Sequence, residues 1–259
     1  MWDACAEHAL STETLVALFD NRIPAIRLEA FASGIECGAF IDGLEKVRLS
    51  YYRHLDPPVA YVGLSQGDHR EAHQKDEYFR AVSSASRDLE KVYSNSFNPT
   101  ERLISVLGPL LPGDLSIATE PAFGPYCHAI IRLMSTNFML HADFAPFNAP
   151  GYEISKIDSQ LTWNLFLTAP GGGGVTTIYE TPWEPNAFLG GLPVSYGLPE
   201  TTVLGKRSLS YRGRAGDVVI FNSRNLHRVM LGDLQTEEKR IQIGSFLGRT
   251  TNGDVVVWS

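Results

Sequence analysis

The hydrophobic period of the chain changes near Pro125, and this change limits the possible folds more than any other feature. Beyond it, apolar residues recur at every second position, and Gly, Pro and Asn divide the chain into short runs, a pattern that indicates β-strands. Nine such strands with loop-rich joins predict a jelly roll or the related double-stranded β-helix. The runs are Tyr126–Met134, Phe138–Phe144, Gln160–Thr168, Val175–Glu180, Arg207–Arg212, Asp217–Phe221, His227–Leu231, Lys239–Leu247 and Val255–Trp258.

The region before residue 116 has a mainly helical pattern. Ser11 can cap a short helix through Phe19. Ile23–Leu28 is expected to be an edge strand, because Pro24 cannot donate a backbone hydrogen bond. We therefore expect a single α+β, mainly β domain over residues 1–259, in which helices of residues 1–115 pack on one face of a jelly-roll core formed by residues 116–259. Three further helices are indicated by apolar residues at helical spacing: Cys37, Phe40, Ile41 and Leu44; Tyr78, Val82 and Leu89; and Leu103, Val106 and Leu110.

Charge and cysteine usage narrow the possible partners. The formal net charge is -7 and no run of Lys or Arg occurs, which argues against nucleic acid or an anionic membrane as a partner. No apolar stretch approaches the roughly 20 residues of a membrane helix, and the first residues lack the features of a secretory signal. The three cysteines are scattered, without the spacing of a zinc site or a disulfide framework. We expect a cytoplasmic protein that acts on a small molecule; the pattern does not indicate its oligomeric state.

A possible metal site lies in the run Phe138–Phe144, where His141 and Asp143 are separated by one residue. On a strand they would share one face, about 7 Å apart along the chain. Two histidines and a carboxylate form the triad of non-haem Fe(II) oxygenases, since they leave adjacent iron positions open for a cosubstrate and O2. His227 is the only histidine after Asp143 and therefore the candidate third ligand. A core histidine bonded to a backbone carbonyl is the alternative interpretation of His227.

Two other pairings of His with an acidic residue compete with this site, namely His54-Leu55-Asp56 and His69-Arg70-Glu71. The first precedes two prolines and the second opens a charged helical stretch, so neither lies within a periodic strand. Both are interpreted as surface features.

Arg240 connects the metal site to a possible cosubstrate. If His227 and Arg240 flank a simple hairpin, its turn falls within residues 232–237 and both side chains emerge on one face. A guanidinium beside the metal could pair with the distal carboxylate of 2-oxoglutarate, whose keto acid end chelates iron. The alternative is that Arg240 ends the exposed charged run that begins at Glu237.

Polar residues on predicted strands add further candidates. In the run Gln160–Thr168, Thr162 and Asn164 share a face with Phe166, and the polar members make it the better candidate for a cavity. Asn164 could bind cosubstrate or substrate, or be a structural amide. Arg132 is either a second anion anchor or a partner in a structural salt bridge.

The aromatic residues have two expected roles. Tyr126, Trp163 and Trp183 are expected to pack in the core rather than to stack on substrate. Tyr51, Tyr52 and Tyr61 lie in a loop-like region that could form a lid.

From about Ile130 onwards, the chain resembles the Fe(II)/2-oxoglutarate-dependent oxygenases, particularly the branch of free-amino-acid and indole-alkaloid halogenases and related hydroxylases. The resemblance implies a double-stranded β-helix, Fe(II) as cofactor, 2-oxoglutarate and O2 as cosubstrates, and a position near the iron for Thr162. The shared motifs are Ile131-Arg132, Gly173-Gly174, Ile178-Tyr179, Trp183-Glu184-Pro185, Gly216-Asp217, Leu226-His227-Arg228-Val229, and Arg240 followed by Gly244-Ser245-Phe246-Leu247-Gly248.

One departure from this branch bears on the reaction. Its halogenases have Gly or Ala at the position that Asp143 occupies here, so the resemblance implies hydroxylation rather than halogenation. The expected substrate is a free amino acid or small natural-product intermediate with an unactivated C–H bond, and succinate and CO2 are released. Desaturation, cyclisation or epimerisation are alternative outcomes. Alternatives of other classes are a non-catalytic metal-binding protein of the cupin type and a structural or sugar-binding jelly roll.

Overall fold

Two facing β-sheets form the centre of the computed structural model, which describes residues 1–52, 58–168, 174–185, 195–231 and 239–259. The strands in these ranges are β1 (Glu7–Ala9), β2 (Ala25–Leu28), β3 (Ser50–Tyr51), β4 (Ala60–Gly63), β5 (Leu115–Ile117), β6 (Thr119–Glu120), β7 (Gly124–Pro125), β8 (Ile130–Met134), β9 (Phe138–His141), β10 (Ile157–Phe166), β11 (Val175–Pro182), β12 (Ser208–Arg212), β13 (Val218–Asn222), β14 (Asn225–Met230), β15 (Arg240–Thr250) and β16 (Val255–Trp258). The α-helices are α1 (Thr12–Phe19), α2 (Gly34–Leu44), α3 (Lys75–Tyr93), α4 (Pro99–Leu107) and α5 (Ala145–Asn148).

From β8 onwards the chain crosses repeatedly between two sheets, with β8, β10, β13, β15 and β16 in the large sheet and β9, β11, β12 and β14 in the small one. The large sheet runs β1-β2-β13-β10-β15-β8-β4-β3, with β16 paired to β15 and to β5. The small sheet runs β12-β11-β14-β9. Consecutive strands that cross from one sheet to the other, with antiparallel neighbours in each, form a double-stranded β-helix. Each of the nine predicted runs overlaps a strand, and the predicted fold class is confirmed.

The helices pack against the outer face of the large sheet, as predicted. Ser11 caps α1, since its hydroxyl accepts a hydrogen bond from the Thr14 backbone at 3.2 Å, and the helix ends at Phe19. Leu15 and Leu18 of this helix are buried in one apolar cluster with Trp163 of β10 and with apolar residues of α2, α3 and α4. The inner face of the large sheet is thereby left to face the small sheet.

The N-terminal region contributes more strand than its sequence indicated. The predicted edge strand begins at Ala25, after Pro24, and it pairs with β1 on one side and β13 on the other. It is therefore not an edge strand, because its ladder starts beyond the proline and β1 covers its free side. Strands β3 and β4 extend the opposite end of the same sheet. The assignment of residues 1–259 to one domain stays a prediction.

Within the described ranges, no helix combines the length and the apolar character needed to cross a membrane.

Candidate active site

His141 and His227 are neighbours across the small sheet. His141 ends β9, His227 lies in β14, and the two residues are paired in the antiparallel ladder. Their ring centroids are 4.1 Å apart, and the Phe221 ring packs edge-on against His227 at 4.9 Å. The pairing brings together two side chains that are 86 positions apart in the sequence, and the aromatic contact limits rotation of the His227 ring.

Asp143 completes the cluster, but not from the strand that its spacing predicted. Strand β9 ends at His141, because the next backbone amides bond outside the ladder, Ala142 to the Ser195 carbonyl and Asp143 to the Ser223 carbonyl. The Asp143 carboxylate nevertheless lies beside both rings, with Oδ2 3.8 Å from Nε2 of His141 and 3.7 Å from Nε2 of His227. Asp143 therefore lies close to both histidines, as expected. The predicted reason, that Asp143 and His141 alternate along one strand, was wrong.

Hydrogen bonds fix which nitrogen each histidine presents to the centre. Nδ1 of His141 lies 2.7 Å from the Met139 carbonyl, and Nδ1 of His227 lies 2.9 Å from the Asn225 carbonyl. A carbonyl only accepts, so Nδ1 carries the proton and donates it, which leaves the Nε2 lone pair directed inwards. Burial, together with the nearby His141, lowers the pKa of His227 to about 3, which keeps its ring neutral.

The donor set fits a divalent metal. The three ligand atoms all lie within 4.8 Å of one another, and all three are lone-pair acceptors when Nδ1 of each histidine carries the proton. Converging lone pairs without a proton or cation are unfavourable, and a metal ion is the species that satisfies all three at once. Two imidazoles and one carboxylate suit Fe(II) and leave further coordination positions open.

A cavity between the two sheets contains this cluster. The cavity is partly open to solvent, and concave sites of this kind bind small molecules. Both sheets contribute to its walls, and predicted candidates from three strands of the large sheet line it: Arg132, Thr162, Asn164 and Arg240.

Arg240 is buried in the wall of this cavity and is 3% exposed. Its guanidinium donates to the Gly174 carbonyl at 2.9 Å and to the Thr176 hydroxyl at 3.0 Å. Among the described residues it has no carboxylate partner, and burial lowers its pKa to about 10. The exposed-run alternative for Arg240 is therefore wrong, and its uncompensated positive charge favours an anionic ligand.

The hairpin proposed for His227 and Arg240 is also wrong. β14 pairs with β9 and β11 in the small sheet, whereas β15 pairs with β8, β10 and β16 in the large sheet. The two residues share the cavity because the sheets face each other. The predicted turn at 232–237 lies outside the described residues.

Glycine at position 174 makes room for the arginine. Its backbone has a φ of +82°, which favours glycine, and a Cβ there would lie 3.3 Å from Cδ of Arg240. This close approach gives a structural reason for the glycine in the Gly173-Gly174 motif, whose first member lies outside the described residues.

Thr162 and Asn164 both face the cavity, as the alternation along β10 predicted. The Thr162 hydroxyl donates to the Ser245 carbonyl at 3.2 Å. Asn164 belongs to a directional chain: Arg240 Nε donates to Gln242 Oε1 at 3.1 Å, and Gln242 Nε2 donates to Asn164 Oδ1 at 2.9 Å. Because arginine can only donate, it fixes both amides and leaves the Asn164 NH2 group as a donor at the cavity wall.

Arg132 lies on β8, and the structure gives it no acidic partner among the described residues. Its Nε donates to the Tyr52 hydroxyl at 3.1 Å. The interpretation as a structural salt-bridge partner therefore finds no support in this part of the chain. Tyr52 packs against Tyr61 with ring centroids 4.5 Å apart. The lid suggested for this segment stays a prediction.

Sequence reasoning missed several residues of the cavity wall. Tyr211 is the most informative, because its hydroxyl is buried without a hydrogen-bond partner and it lines the cavity that contains Arg240. Gln242 could have been found, since it is two positions from Arg240 on one face of a strand. Thr176 carried no comparable signal.

The remaining predicted residues lie away from the cavity wall. Tyr126 and Trp163 are buried in the large apolar cluster beneath the helices, and Trp183 is buried in a smaller one, so packing accounts for all three. His69 lies in a 3-10 turn, is half-buried and contacts Tyr78 at a centroid distance of 5.6 Å. His54-Leu55-Asp56 lies outside the described residues.

Comparisons with known proteins bear on the same region. Residues 42–259 match the family model described as carrier-protein-independent halogenase WelO5. Over 212 residues the chain is 30% identical to the L-gamma-glutamyl-L-propargylglycine hydroxylase of Streptantibioticus cattleyicolor, covering 78% of this chain and 75% of that protein. Over 204 residues it is 29% identical to the leucinostatins biosynthesis cluster protein S of Purpureocillium lilacinum, covering 76% and 82%.

A solved structure shares the fold. An N-substituted L-amino acid dioxygenase from Burkholderia ambifaria AMMD, in complex with alpha-KG, superposes with a TM-score of 0.63 at 14% sequence identity, covering 95% of this chain and 90% of that one. At this identity the similarity concerns the fold alone.

Proposed function

The chain belongs to the family of the carrier-protein-independent halogenase WelO5, and on that premise we propose that it is an Fe(II)/2-oxoglutarate-dependent oxygenase that hydroxylates an amino acid or a small amino-acid-derived natural product. The membership confirms the resemblance inferred from the motifs and extends it towards the N-terminus, to residue 42. In the proposed reaction, substrate, O2 and 2-oxoglutarate give hydroxylated substrate, succinate and CO2. The converging His141, Asp143 and His227 carry the proposal.

Each protein group has a defined part in this function. His141, Asp143 and His227 would hold Fe(II), and the carbonyls of Met139 and Asn225 keep both imidazoles in the tautomer that a metal requires. When bound, Fe(II) and 2-oxoglutarate together supply the activation of O2 that oxidises a C–H bond.

The opposite wall would bind the cosubstrate. Arg240 would bind the distal carboxylate of 2-oxoglutarate, and the unpartnered Tyr211 hydroxyl would donate to the same group. Asn164 would offer its fixed NH2 group to an acceptor oxygen in the cavity. The apolar packing behind these strands keeps bulk water from the reacting groups.

Asp143 favours hydroxylation over the halogenation for which the family is named. Its carboxylate lies within 3.8 Å of both histidine nitrogens. In the halogenases that the sequence resembles, a small residue at this position leaves room for a halide on the metal. A carboxylate at the same place would exclude the halide, and together with the two histidines it gives the ligand set of non-haem Fe(II) oxygenases.

An amino-acid-derived substrate is supported by the relatives. One is named as a hydroxylase of a γ-glutamyl dipeptide, and a structural neighbour is named as a dioxygenase of N-substituted L-amino acids. Desaturation, cyclisation and epimerisation use the same cofactors and are separated from hydroxylation by the product. The cytoplasmic location also stays a prediction.

A screen under 18O2 tests the proposed reaction. Fe(II)-loaded protein, 2-oxoglutarate and chloride are incubated with a panel of aliphatic amino acids and γ-glutamyl dipeptides, and succinate and product masses are measured. We expect one atom of 18O in the product, one succinate per product, and no chlorinated compound. A product lighter by two hydrogens would identify a desaturase or cyclase, and a chlorinated product would contradict the role given to Asp143.

A non-catalytic metal-binding protein is the alternative of another class. It would retain His141, Asp143 and His227, but it gives no reason for a buried Arg240 without a carboxylate partner in the described residues. Succinate formation that depends on Fe(II) and substrate excludes it.

A further inference from the structure

Resting on the proposed oxygenase function, we propose that Arg132 binds a carboxylate of the organic substrate, so that the enzyme acts on carboxylic acids and rejects the corresponding amides and esters. Arg240 would serve the cosubstrate and Arg132 the substrate. The proposal selects a class of substrate within the broader set of amino acids and natural products.

The register of the large sheet places Arg132 on the cavity face. It pairs with Gln242 of β15 on one side and with Tyr61 of β4 on the other. Gln242 faces the cavity, and paired residues in adjacent strands share a face. The Tyr52 hydroxyl, 3.1 Å from Nε, holds the guanidinium from one edge.

Arg132 forms no ion pair within the described part of the chain, although the Asp68 carboxylate lines the same cavity. Tyr52 is its hydrogen-bond partner there, and burial raises the pKa of Tyr52, so the phenol stays uncharged at neutral pH. With Nε committed to that phenol, both terminal nitrogens remain as paired donors, the arrangement that binds a carboxylate through two parallel bonds. A half-buried arginine without an acidic partner is better satisfied by an anion than by water.

The two arginines lean in opposite directions. Arg240 pairs with Met134, two pairs along the ladder from the pair of Arg132 and Gln242. The terminal nitrogens of Arg240 bond to Gly174 and Thr176 beside the small sheet, whereas Arg132 bonds to Tyr52, which follows β3 at the far end of the large sheet. Bound 2-oxoglutarate would therefore pair with Arg240, and Arg132 would remain available for the carboxylate of the substrate.

Apolar side chains beside the metal candidates define the rest of the substrate. Met134, Phe138 and Val229 line the cavity and pack in one small cluster, and the ring centroid of Phe138 lies 6.3 Å from that of His141. A carboxylate at Arg132 and an aliphatic chain on this cluster would bring the chain towards the metal. The best substrate is thus an acid with an apolar side chain.

The test compares each acid with its own carboxamide. Wild type, Arg132→Gln, Arg132→Lys and Arg70→Gln are assayed for substrate-stimulated succinate with a panel of aliphatic L-amino acids, their N-acyl derivatives and the matching carboxamides. Arg70 is the control, because it also lines the cavity and its Nε bonds to the Gly67 carbonyl. Folding is checked by thermal melting, and binding of Fe(II) and 2-oxoglutarate by anaerobic absorption.

We expect at least one acid to stimulate succinate formation, with its amide at least ~10-fold weaker. Arg132→Gln should raise the KM for that acid by ~10- to 100-fold, the loss typical of a hydrogen-bonded charge, and Arg132→Lys should raise it less. The KM for 2-oxoglutarate should change by less than ~3-fold in both, and Arg70→Gln should leave both KM values within the same limit.

The proposal is overturned by turnover of amides equal to that of acids, by no stimulation from any acid, or by a loss in Arg132→Gln that falls on 2-oxoglutarate instead of the acid. If Arg70→Gln raised the KM for the acid as much as Arg132→Gln, the increase would reflect a general attraction of anions to the cavity, and this result would also contradict the proposal. If the anaerobic absorption of wild type shows no complex with Fe(II) and 2-oxoglutarate, the proposed function itself has failed, and that outcome is separate from the others.

Discussion

At the residue scale, the site depends on side chains whose hydrogen-bonding roles are fixed by their neighbours. The carbonyls behind His141 and His227 determine which nitrogen faces inwards. Arg240 likewise determines the orientation of Gln242 and, through it, of Asn164. Such preorganisation matters because groups that do not reorient at the moment of reaction give stronger electrostatic stabilisation.

Replacement of Tyr211 by Phe should have opposite effects on stability and on cosubstrate binding. The buried hydroxyl lacks a partner, so its removal should stabilise the cosubstrate-free protein by about 1 kcal/mol. The same change should raise the KM for 2-oxoglutarate by ~5- to 10-fold, through loss of one hydrogen bond to a carboxylate. Chemical denaturation and steady-state kinetics measure the two effects.

Tyr93 provides a matched control for this prediction. Its hydroxyl is also buried without a partner, but it lies at the end of α3, and it does not line the cavity. Tyr93→Phe should therefore give a similar gain in stability and an unchanged KM. An unchanged KM in Tyr211→Phe as well would remove Tyr211 from the cosubstrate site.

Arg240→Lys should impair cosubstrate binding while leaving the metal site intact. Lysine keeps a positive charge but cannot bond to Gly174, Thr176 and Gln242 together, as the planar guanidinium does. We expect the KM for 2-oxoglutarate to rise by ~10- to 100-fold, in line with the loss of charged hydrogen bonds, and the Fe(II) requirement to change much less. Equal increases in both would contradict the assigned role.

At the scale of single elements, close packing between β10 and β15 fixes the cavity floor. Gly244 pairs with Asn164 in the ladder, and a Cβ at position 244 would contact the Trp163 carbonyl and lie 2.9 Å from Oδ1 of Asn164. Glycine at position 244 thus leaves room for the Trp163 carbonyl and for the Asn164 amide.

Replacement of glycine by alanine should therefore destabilise the fold at position 244 and stabilise it at position 38. Gly244→Ala should destabilise the fold by about 1–3 kcal/mol, because backbone atoms cannot yield as a flexible side chain can. Gly38→Ala, in α2, should stabilise it by about 0.5–1 kcal/mol, since nothing lies within 4 Å of the new Cβ and alanine favours helix. Denaturant unfolding measures both, and a stabilised Gly244→Ala would contradict the packing.

Helix α2 should have an acid-sensitive N-terminus. Glu36 forms a capping box with Ser33 and bonds to Arg102 of α4 at 2.6 Å, contacts that lower its pKa to about 2 from an ordinary 4.5. Since the folded-state pKa is the lower one, the stabilisation is complete above pH 4.5 and is lost as the pH falls to about 2. The difference in Tm between wild type and Glu36→Gln should shrink over this window; a constant difference would contradict the assignment.

Much of this element structure could be predicted from the sequence, because alternation and capping are local. The strand runs, the Ser11 cap and the cavity face of β10 all follow from short-range patterns. The exit of Asp143 from β9 depends on Ser195 and Ser223, residues distant in sequence, and the hairpin assumed for Arg240 required β14 and β15 to share a sheet. Neither sheet assignment nor such remote hydrogen bonds leave a local signal.

At the scale of the whole molecule, the N-terminal region is part of the β-structure rather than only a helical support. Arg27 of β2 bonds to Glu7 of β1 at 2.6 Å and to Asp217, just before β13, at 2.9 Å. Asp217 also accepts from the Ala30 backbone at 3.0 Å. The Gly216-Asp217 motif therefore joins the N-terminal strands to the double-stranded β-helix, while Tyr52 brings the same region to the cavity.

Anaerobic titration of the protein with Fe(II) and 2-oxoglutarate tests whether His141, Asp143 and His227 hold iron in the cavity where Arg240 is proposed to bind the cosubstrate. A weak visible charge-transfer band should appear in wild type only when both are present, and His227→Ala should lack it while remaining folded by thermal melting. Well-folded wild type without the band, or His227→Ala with an unchanged band, would contradict the account.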